Sequence, residues 1–125
     1  MVKLIFCLHR KPGMSREDFR DYWENQHGPL VQKHASALGI RRYVQSYTLS
    51  DDRFAKVASA RRAPEEFDGV AELWFESLDD MMSQGASEAG RSAGKALIED
   101  EARFIDLSRS PIWISEEKTF VEPEH

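Results

Sequence analysis

The sequence predicts an α+β domain with a ferredoxin-like fold, in which the elements follow the order β-α-β-β-α-β and the sheet is antiparallel. Short apolar segments alternate with amphipathic helical segments in this order along the chain. A length of 125 residues suits one hydrophobic core and is too short for two, so residues 1–125 are predicted to form a single domain. The first strand is apolar on both faces, which is typical of a strand that is covered on both sides.

The first predicted strand covers residues 2–10, VKLIFCLHR, and the turn residues Lys11-Pro12-Gly13 end it. Two helices can cover only one face of a four-stranded sheet. The second face would then expose more apolar surface than a soluble monomer normally does. The pattern therefore predicts a homodimer in which the sheets of two subunits pack face to face.

The first predicted helix starts near Ser15, which can cap it, and Asp18 fits both a capping box and the positive end of a helix. Aromatic side chains recur at helical spacing up to the sequence HGPL. Gly28-Pro29 is predicted to end or kink this helix, and Pro29 to start a second segment that Gly39 closes.

The later elements follow from similar patterns. Residues 41–49 and 69–77 are predicted strands, and the helical stretch that begins at about residue 77 divides near Ser87. The sequences FIDLS and PIWI are predicted to form a last, interrupted strand, and residues 116–125 form an acidic tail.

Residues 50–66 show neither a helical nor a strand period, and they are predicted to be a long connection that extends over the pocket mouth or over the partner subunit. The only basic cluster lies here, and four such residues are typical of a solvated loop. They are Arg53, Lys56, Arg61 and Arg62. Together with the net charge of −5, this distribution argues against nucleic-acid binding.

The composition also excludes some classes of site. A single cysteine, Cys7, excludes an internal disulfide and a thiolate metal cluster within one chain, and its apolar neighbours predict a buried, inert thiol. No apolar run approaches the ~18 residues of a membrane span, and LIFCL is too short for the apolar region of a signal peptide. The chain is therefore predicted to be cytoplasmic, with no membrane partner.

Several stretches carry a family resemblance: KPGMSREDFRDYWENQHGPL, RRYVQSYTL and FDGVAELWFES, with DEARFID as further support. Together they resemble the EthD family of the dimeric α+β barrel superfamily, from the first strand to about Trp113. The most specific part is Trp23 followed by His27-Gly28-Pro29-Leu30. The resemblance implies a dimeric ferredoxin-like barrel with a pocket in each subunit between the sheet and the helices.

The resemblance implies a small-molecule pocket more strongly than it implies a reaction. Fungal members of the family act on aromatic polyketides as cofactor-free dehydratases or decarboxylases, and neighbouring branches include cyclases, isomerases, monooxygenases and haem-handling proteins. This sequence departs from the family in the second strand, where Ser46-Tyr47 replaces an asparagine-histidine pair. A tyrosine cannot act as a base near neutral pH, so a mechanism that needs this second histidine is disfavoured. His9, at the end of the first strand, is the candidate to compensate.

His27 is the leading candidate for acid/base catalysis, because histidine alone has an unperturbed pKa close to neutral pH. It follows Trp23 by four residues, so the two side chains are predicted to share one side of the helix, and Gly28-Pro29 would leave space beside the imidazole. The alternative is a structural histidine that caps the helix C-terminus. With the family motif, the two interpretations carry equal weight.

Glu72 is the candidate to assist His27. It shares a strand face with Val70 and Trp74, where an ionised carboxylate is costly to bury, so a raised pKa or a close partner is predicted. The alternative is a salt-bridged carboxylate that holds a helix or the partner subunit.

Aromatic side chains supply the candidates for substrate contact. Tyr43, Gln45 and Tyr47 alternate onto one strand face and are predicted to line a pocket or a dimer interface. Trp23 and Trp74 are further candidates, although tryptophans in such positions belong to the core more often than to a ligand site.

The four histidines lack the spacing of metal ligands, and no phosphate-binding or dinucleotide-binding motif occurs, so neither metal nor cofactor is predicted. These histidines are His9, His27, His34 and His125. The resulting hypothesis is a cofactor-independent enzyme that performs dehydration, cyclisation, isomerisation or decarboxylation on a small aromatic or polyketide-like molecule. Two alternatives stay open: a non-catalytic binding protein for a hydrophobic metabolite, and a haem-handling relative with His27 as axial ligand.

Overall fold

The computed structural model describes residues 1–124. In chain order its elements are β1 (Val2–Leu8), α1 (Arg16–Tyr22), a π-helical turn (Trp23–His27), α2 (Gly28–Leu38), β2 (Arg42–Tyr47), α3 (Asp52–Ala60), β3 (Gly69–Phe75), α4 (Leu78–Ala86), α5 (Glu88–Glu101), a 3₁₀ turn (Leu107–Arg109) and β4 (Ile112–Ser115). Within this part of the chain, no helix has the length and apolar character that a membrane crossing requires.

The four strands form one antiparallel sheet in the order β2-β3-β1-β4, which confirms the ferredoxin-like topology. Cross-strand partners share a face, so the register assigns each side chain to one side of the sheet. Leu4 pairs with Leu73, and Leu73 pairs with Tyr43, which places all three on the side of the helices. Ile5 and Glu72 pair on the opposite side, which no helix within residues 1–124 covers.

The hydrophobic core lies between the sheet and the helices. Phe19, Trp23 and Phe104 are its most deeply buried aromatic side chains, each at most 1% exposed. They pack against Phe6 and Leu8 of β1, which come from the covered face of the sheet. Three aromatic rings of this size supply a large share of the apolar burial in a domain of 125 residues.

Gly28-Pro29 does not end the helical backbone, and Pro29 starts the second helical segment, α2, as predicted. Ser15 caps α1 as predicted, and the helical backbone then continues to Leu38, where Gly39 ends it with a left-handed conformation (φ 76°). A proline inside a helix lacks an N–H donor, and its ring collides with the carbonyl four residues earlier. The π-helical turn accommodates the proline: the N–H of Gly28 bonds to the Trp23 carbonyl, and Pro29 falls in the first turn of α2.

The segment between β2 and β3 is not an irregular connection, because residues Asp52–Ala60 form α3, with Asp51 as its N-cap. None of its residues is buried. Its apolar side chains Phe54, Val57 and Ala58 do recur at helical spacing, a short stripe that the sequence prediction missed, and Phe54 and Val57 stay exposed in the single subunit. That the segment lies outside the core was predicted; that it covers a pocket or a partner subunit stays a prediction.

The predicted last strand forms only in part. PIWI contributes β4, but FIDLS does not extend it: Ile105 makes a single bridge to Arg10, and a 3₁₀ turn follows.

Cys7 is half-buried on the uncovered face rather than fully buried, and burial raises the pKa of its thiol. Residues 116–124 carry no regular secondary structure.

Gly69 is a position where the fold requires glycine. A Cβ atom there would lie 2.5 Å from Cζ3 of Trp23 and 2.9 Å from the Ser46 carbonyl oxygen. We expect Gly69→Ala to lower the free energy of unfolding by about 1–3 kcal/mol, because the buried indole ring has nowhere to move. Urea unfolding measures this, with Gly94→Ala as the matched control.

Gly94 lies inside α5, and a Cβ there meets nothing within 4 Å. Its replacement by alanine is expected to leave the stability unchanged or raise it by up to about 1 kcal/mol. Equal effects of the two substitutions would show that the packing around Gly69 is looser than the structure indicates.

Candidate functional site

His27 lies inside the protein, between the helices and the sheet. Its side chain is 5% exposed, and its ring packs against Phe104 with 5.0 Å between the ring centroids. The Nδ1 atom lies 2.7 Å from Oδ2 of Asp100, on α5. The side chain forms no capping hydrogen bond to the helix backbone. His27 is therefore a buried residue with a carboxylate partner, and not a helix cap.

Asp100 holds the imidazole through a network of donors. The Tyr22 hydroxyl donates to its Oδ1 at 2.5 Å, and the Arg103 guanidinium donates to the same atom at 2.9 Å. Burial alone would raise the pKa of Asp100, but the hydrogen bonds from Tyr22, His27 and Arg103 outweigh it and lower that pKa. An ionised carboxylate can only accept, so Nδ1 of His27 carries the proton and Nε2 carries a lone pair.

Burial is also the main influence on His27 itself. It lowers the pKa of the imidazole, and the interaction with Asp100 opposes this without reversing it. At pH 7 the ring is therefore neutral. Among the described residues, His27 forms a hydrogen bond only through Nδ1, so its Nε2 is free to act as a base.

His27 borders a cavity of about 40 Å³ between the helices and the sheet. Most of its wall is apolar, and its polar members are His27, Tyr43 and Glu101. A cavity that binds benzene measures about 150 Å³. The space beside His27 therefore admits a few water molecules or one small functional group, and not an aromatic ring.

Glu101 brings a second ionisable group to this cavity. Burial raises the pKa of its carboxyl to about 7, with a smaller contribution from the negative charge of the neighbouring Asp100. A carboxyl group with this pKa is partly protonated at neutral pH, so it can donate a proton as well as accept one.

The face of β2 that carries Tyr43, Gln45 and Tyr47 turns toward the helices. Of the two predictions for these residues, a pocket wall or a dimer interface, this orientation fits the pocket wall. Tyr47 donates to Oε1 of Gln45 at 2.6 Å, and Nε2 of Gln45 donates to the Tyr43 hydroxyl at 2.8 Å and to the Trp23 carbonyl at 3.0 Å. Burial raises the pKa of Tyr43 to about 12, so it stays a neutral phenol. The chain of hydrogen bonds fixes Tyr43 at the edge of the cavity.

Tyr43 also borders a larger groove on its other side. This groove has a volume of about 430 Å³ and is open to solvent. It lies between β2, which contributes Gln45 and Tyr47, and the start of α2, which contributes Gly28 and Pro29. Tyr43 is the residue that the groove and the inner cavity share.

Glu72 and Trp74 lie far from this site, because they point to the uncovered side of the sheet. Glu72 accepts a salt bridge from Lys3 at 2.7 Å, and the indole N–H of Trp74 donates to Glu117 at 2.5 Å. The predicted pairing of Glu72 with His27 is therefore wrong: β3 alternates its side chains, and Leu73, not Glu72, faces the helices. Glu72 is salt-bridged, as the alternative predicted, but its partner is Lys3 of β1 and not a helix; a contact with the partner subunit stays a prediction.

The other predicted residues divide between the core and a second pocket. Trp23 is part of the core and of the cavity wall. His9 stacks on Phe67, with 4.5 Å between ring centroids, and lines a separate polar pocket of about 260 Å³. The structure does not bring His9 to His27. His34 is half-buried on α2, and His125 lies outside the described residues.

Asp100 and Glu101 were missed as site residues, although the sequence contained a pattern that could have indicated them. The buried residues of α5 recur at helical spacing, and they are Gly90, Ala93, Leu97 and Asp100. A carboxylate on the buried stripe of a helix requires a partner. The sequence DEARFID therefore holds a site residue as well as family resemblance.

Residues 1–124 contain no group of three or more histidine, cysteine, aspartate or glutamate side chains that could hold a metal ion. The surroundings of His27 also fail to fit a haem. The cavity of about 40 Å³ leaves no slot for a porphyrin, and Asp100 holds the ring through Nδ1.

Comparison with known proteins gives a consistent picture. Residues 11–108 match the model of a family described as EthD domain. One curated relative, the decarboxylase dmxR15 of Cryptosporiopsis sp., is 27% identical over 121 residues, which cover 90% of this chain and 80% of the relative. Another, the conidial pigment biosynthesis dehydratase EthD of Metarhizium robertsii, is 28% identical over 132 residues, which cover 98% and 86% of the two chains.

Solved structures support the fold. An EthD family protein from Bacillus halodurans aligns with a TM-score of 0.62 at 21% identity, over 94% of this chain and 99% of its own. A protein from Bacteroides fragilis, described as dimeric and ferredoxin-like, aligns with a TM-score of 0.57 at 14% identity, over 93% and 95% of the two chains.

Proposed function

The chain belongs to the EthD domain family, and from this premise we propose that it is a cofactor-independent lyase that acts by proton transfer on a small aromatic or polyketide-like molecule. The curated relatives at 27–28% identity are named as a decarboxylase and a dehydratase, and both reactions are eliminations that acid/base groups can catalyse. Cyclisation and isomerisation would use the same groups.

The observation that carries this proposal is the burial, protonation and hydrogen bonding of His27. It is buried and neutral, its Nδ1 is bonded to Asp100, no hydrogen bond engages its Nε2 among the described residues, and the residue lines a cavity. This is the arrangement of a general base whose tautomer and orientation are held by a carboxylate. Asp100 is then a positioning residue, since its carboxylate acts through the imidazole. A mere binding protein would need an apolar pocket and no such convergence of polar groups.

The sizes of the two spaces indicate how a substrate binds. The inner cavity of about 40 Å³ accepts only the reacting group, whereas the groove of about 430 Å³ is large enough for the body of the molecule. Tyr43 stands between them, so binding requires its side chain to shift or the reacting group to pass beside it. The phenol and amide groups of Tyr43, Gln45 and Tyr47 would then contact the polar substituents of the substrate.

Two simple probes test the reaction class. Orsellinic acid loses carbon dioxide to give orcinol, and β-hydroxy-α-tetralone loses water to give α-naphthol. We expect the purified protein to accelerate at least one of these reactions over the buffer rate, without added metal and in the presence of a chelator. Product formation is followed by chromatography and ultraviolet absorbance. If neither probe turns over, or if turnover requires a metal or an organic cofactor, the proposal is wrong.

The assembly forms the second part of the proposal: the protein is a homodimer whose subunits pack through the uncovered faces of their sheets. This face carries Trp113 beside Ile5, and Val44 on the other side of Glu72, whose charge Lys3 neutralises. Trp113 is 46% exposed in the single subunit. The dimeric description of the Bacteroides fragilis structure supports this arrangement. An obligate interface of this type buries roughly 2,000 Å² or more in total.

Trp113→Glu is expected to weaken the dimer by at least about 100-fold in its dissociation constant, because it places an unpaired charge inside an apolar interface. Light scattering and sedimentation at micromolar concentration measure the assembly state. Ile98→Glu is the matched control, since Ile98 is 61% exposed on α5, in the helical layer. A monomeric wild-type protein, or equal dissociation of both variants, contradicts the proposed interface.

A further inference from the structure

We propose that Glu101 is a second catalytic residue, the proton donor that complements His27, so that the site removes one proton from the substrate and supplies another in the same cavity. This inference rests on the proposed function and extends it. It assigns the substrate a class: a β-hydroxy ketone, or a hydroxy-aromatic acid, whose reacting group is small enough to enter the inner cavity.

The geometry follows from consecutive positions on α5. Successive residues of a helix point about 100° apart. Asp100 and Glu101 can therefore lie at different positions around the imidazole of His27. Asp100 contacts Nδ1 of His27 and does not line the cavity, whereas Glu101 borders it. A cavity of about 40 Å³ is a few ångströms across, so a group bound in it lies within reach of both His27 and Glu101.

The electrostatic surroundings favour the protonated form of Glu101. Tyr43 faces it from β2, His27 faces it from the π-helical turn, and Asp100 adjoins it on α5. The nearby Arg103 points to Asp100 and is bonded there. Burial and the charge of Asp100 raise the pKa of Glu101 to about 7, and neither a cation nor a hydrogen bond among the described residues opposes them. Both the acid and the base are thus present near pH 7.

In dehydration, Nε2 of His27 removes a proton from the carbon next to the carbonyl. The electron pair of that bond forms the carbon–carbon double bond, and the carbon–oxygen bond breaks. Glu101 gives its proton to the departing hydroxyl, which leaves as water. A proton then returns from the imidazolium to the Glu101 carboxylate, so the enzyme ends as it began.

In decarboxylation, the side chain of Tyr43 shifts, the edge of the ring that carries the carboxylate reaches the cavity from the groove, and Glu101 protonates that ring carbon. The carbon–carbon bond breaks, its electron pair restores the aromatic ring, and carbon dioxide leaves. The Glu101 carboxylate regains a proton from water, which balances the proton that the ring has taken up. His27 assists by holding the proton of the neighbouring phenol.

Glu101→Gln tests the donor, because glutamine has a similar shape and cannot supply an acid proton. With whichever of the two probes the wild-type protein converts, we expect a loss of about 10²–10³-fold in kcat. The alkaline limb of the wild-type pH profile, where Glu101 ionises, should vanish. Glu99→Gln is the matched control: this side chain lies two positions earlier on α5 and is 61% exposed, so its replacement should change neither rate nor profile.

A second readout needs no substrate. In protein carrying ¹³C-labelled glutamate carboxyls, one resonance should titrate near pH 7 and be missing from Glu101→Gln. A titration near the ordinary value, or full activity of Glu101→Gln with its alkaline limb intact while His27→Asn is inactive, overturns the inference and leaves the proposed function standing. If His27→Asn keeps full activity, the proposed function fails and the role of Glu101 fails with it.

Discussion

Replacement of His27 by asparagine is expected to lower kcat by about 10²–10⁴-fold and to leave the protein folded. Asparagine can still donate a hydrogen bond to Asp100, so the buried carboxylate keeps a partner and its network with Tyr22 and Arg103 persists. What disappears is the Nε2 lone pair beside the cavity. The substitution therefore slows proton transfer, which lowers kcat, and KM should change little.

Turnover of the converted probe and thermal unfolding together measure this effect. His34→Asn is the control, since His34 is a half-buried residue of α2 that does not border the cavity. The wild-type rate should also fall toward acid pH as the imidazole gains a proton, and this fall should begin below pH 6.5 because burial lowers the pKa of His27. A folded His27→Asn protein with a rate within threefold of wild type would exclude His27 as the base.

Glu101→Gln is expected to make the protein more stable at pH 8 by as much as about 3 kcal/mol, although it removes activity. The pKa of Glu101 is raised in the folded protein from 4.5 to about 7. Below pH 4.5 the carboxyl is protonated in both the folded and the unfolded chain, so its ionisation does not change the free energy of unfolding. As the pH rises toward 7 the unfolded chain ionises first, and the folded state loses stability until the group ionises there too.

The measurement is the free energy of urea unfolding at pH 4.5 and at pH 8. The difference between wild type and Glu101→Gln should be small at the lower pH and large at the higher, while Glu99→Gln should show no such change. A gain that is the same at both pH values would mean that Glu101 has an ordinary pKa. A residue that destabilises the fold in this way is typical of a functional site, where activity and stability compete.

The element order was predictable because the patterns that specify it are local. The apolar run of β1, the Ser15 cap and the Gly39 stop depend on residues a few positions apart, and the structure confirms all three. Where local patterns are weak, the prediction failed. The apolar stripe of the exposed helix α3 is only one turn long, Phe54 and Val57, and it contacts no core. The π-helical turn depends on how a proline is accommodated rather than on any period.

The sequence by itself determined the ferredoxin-like topology and the burial of Trp23, and it singled out His27 as a candidate, since spacing and composition record these properties along the chain. Only the tertiary structure decided which residues surround His27. A strand pattern shows two faces without telling which one meets the helices, so Glu72 was placed on the wrong side and the side of Tyr43 stayed open. Asp100 lies 73 residues from His27 along the chain, and no local pattern links them. They meet because α5 packs against the π-helical turn, and this contact turns a buried histidine into a candidate base.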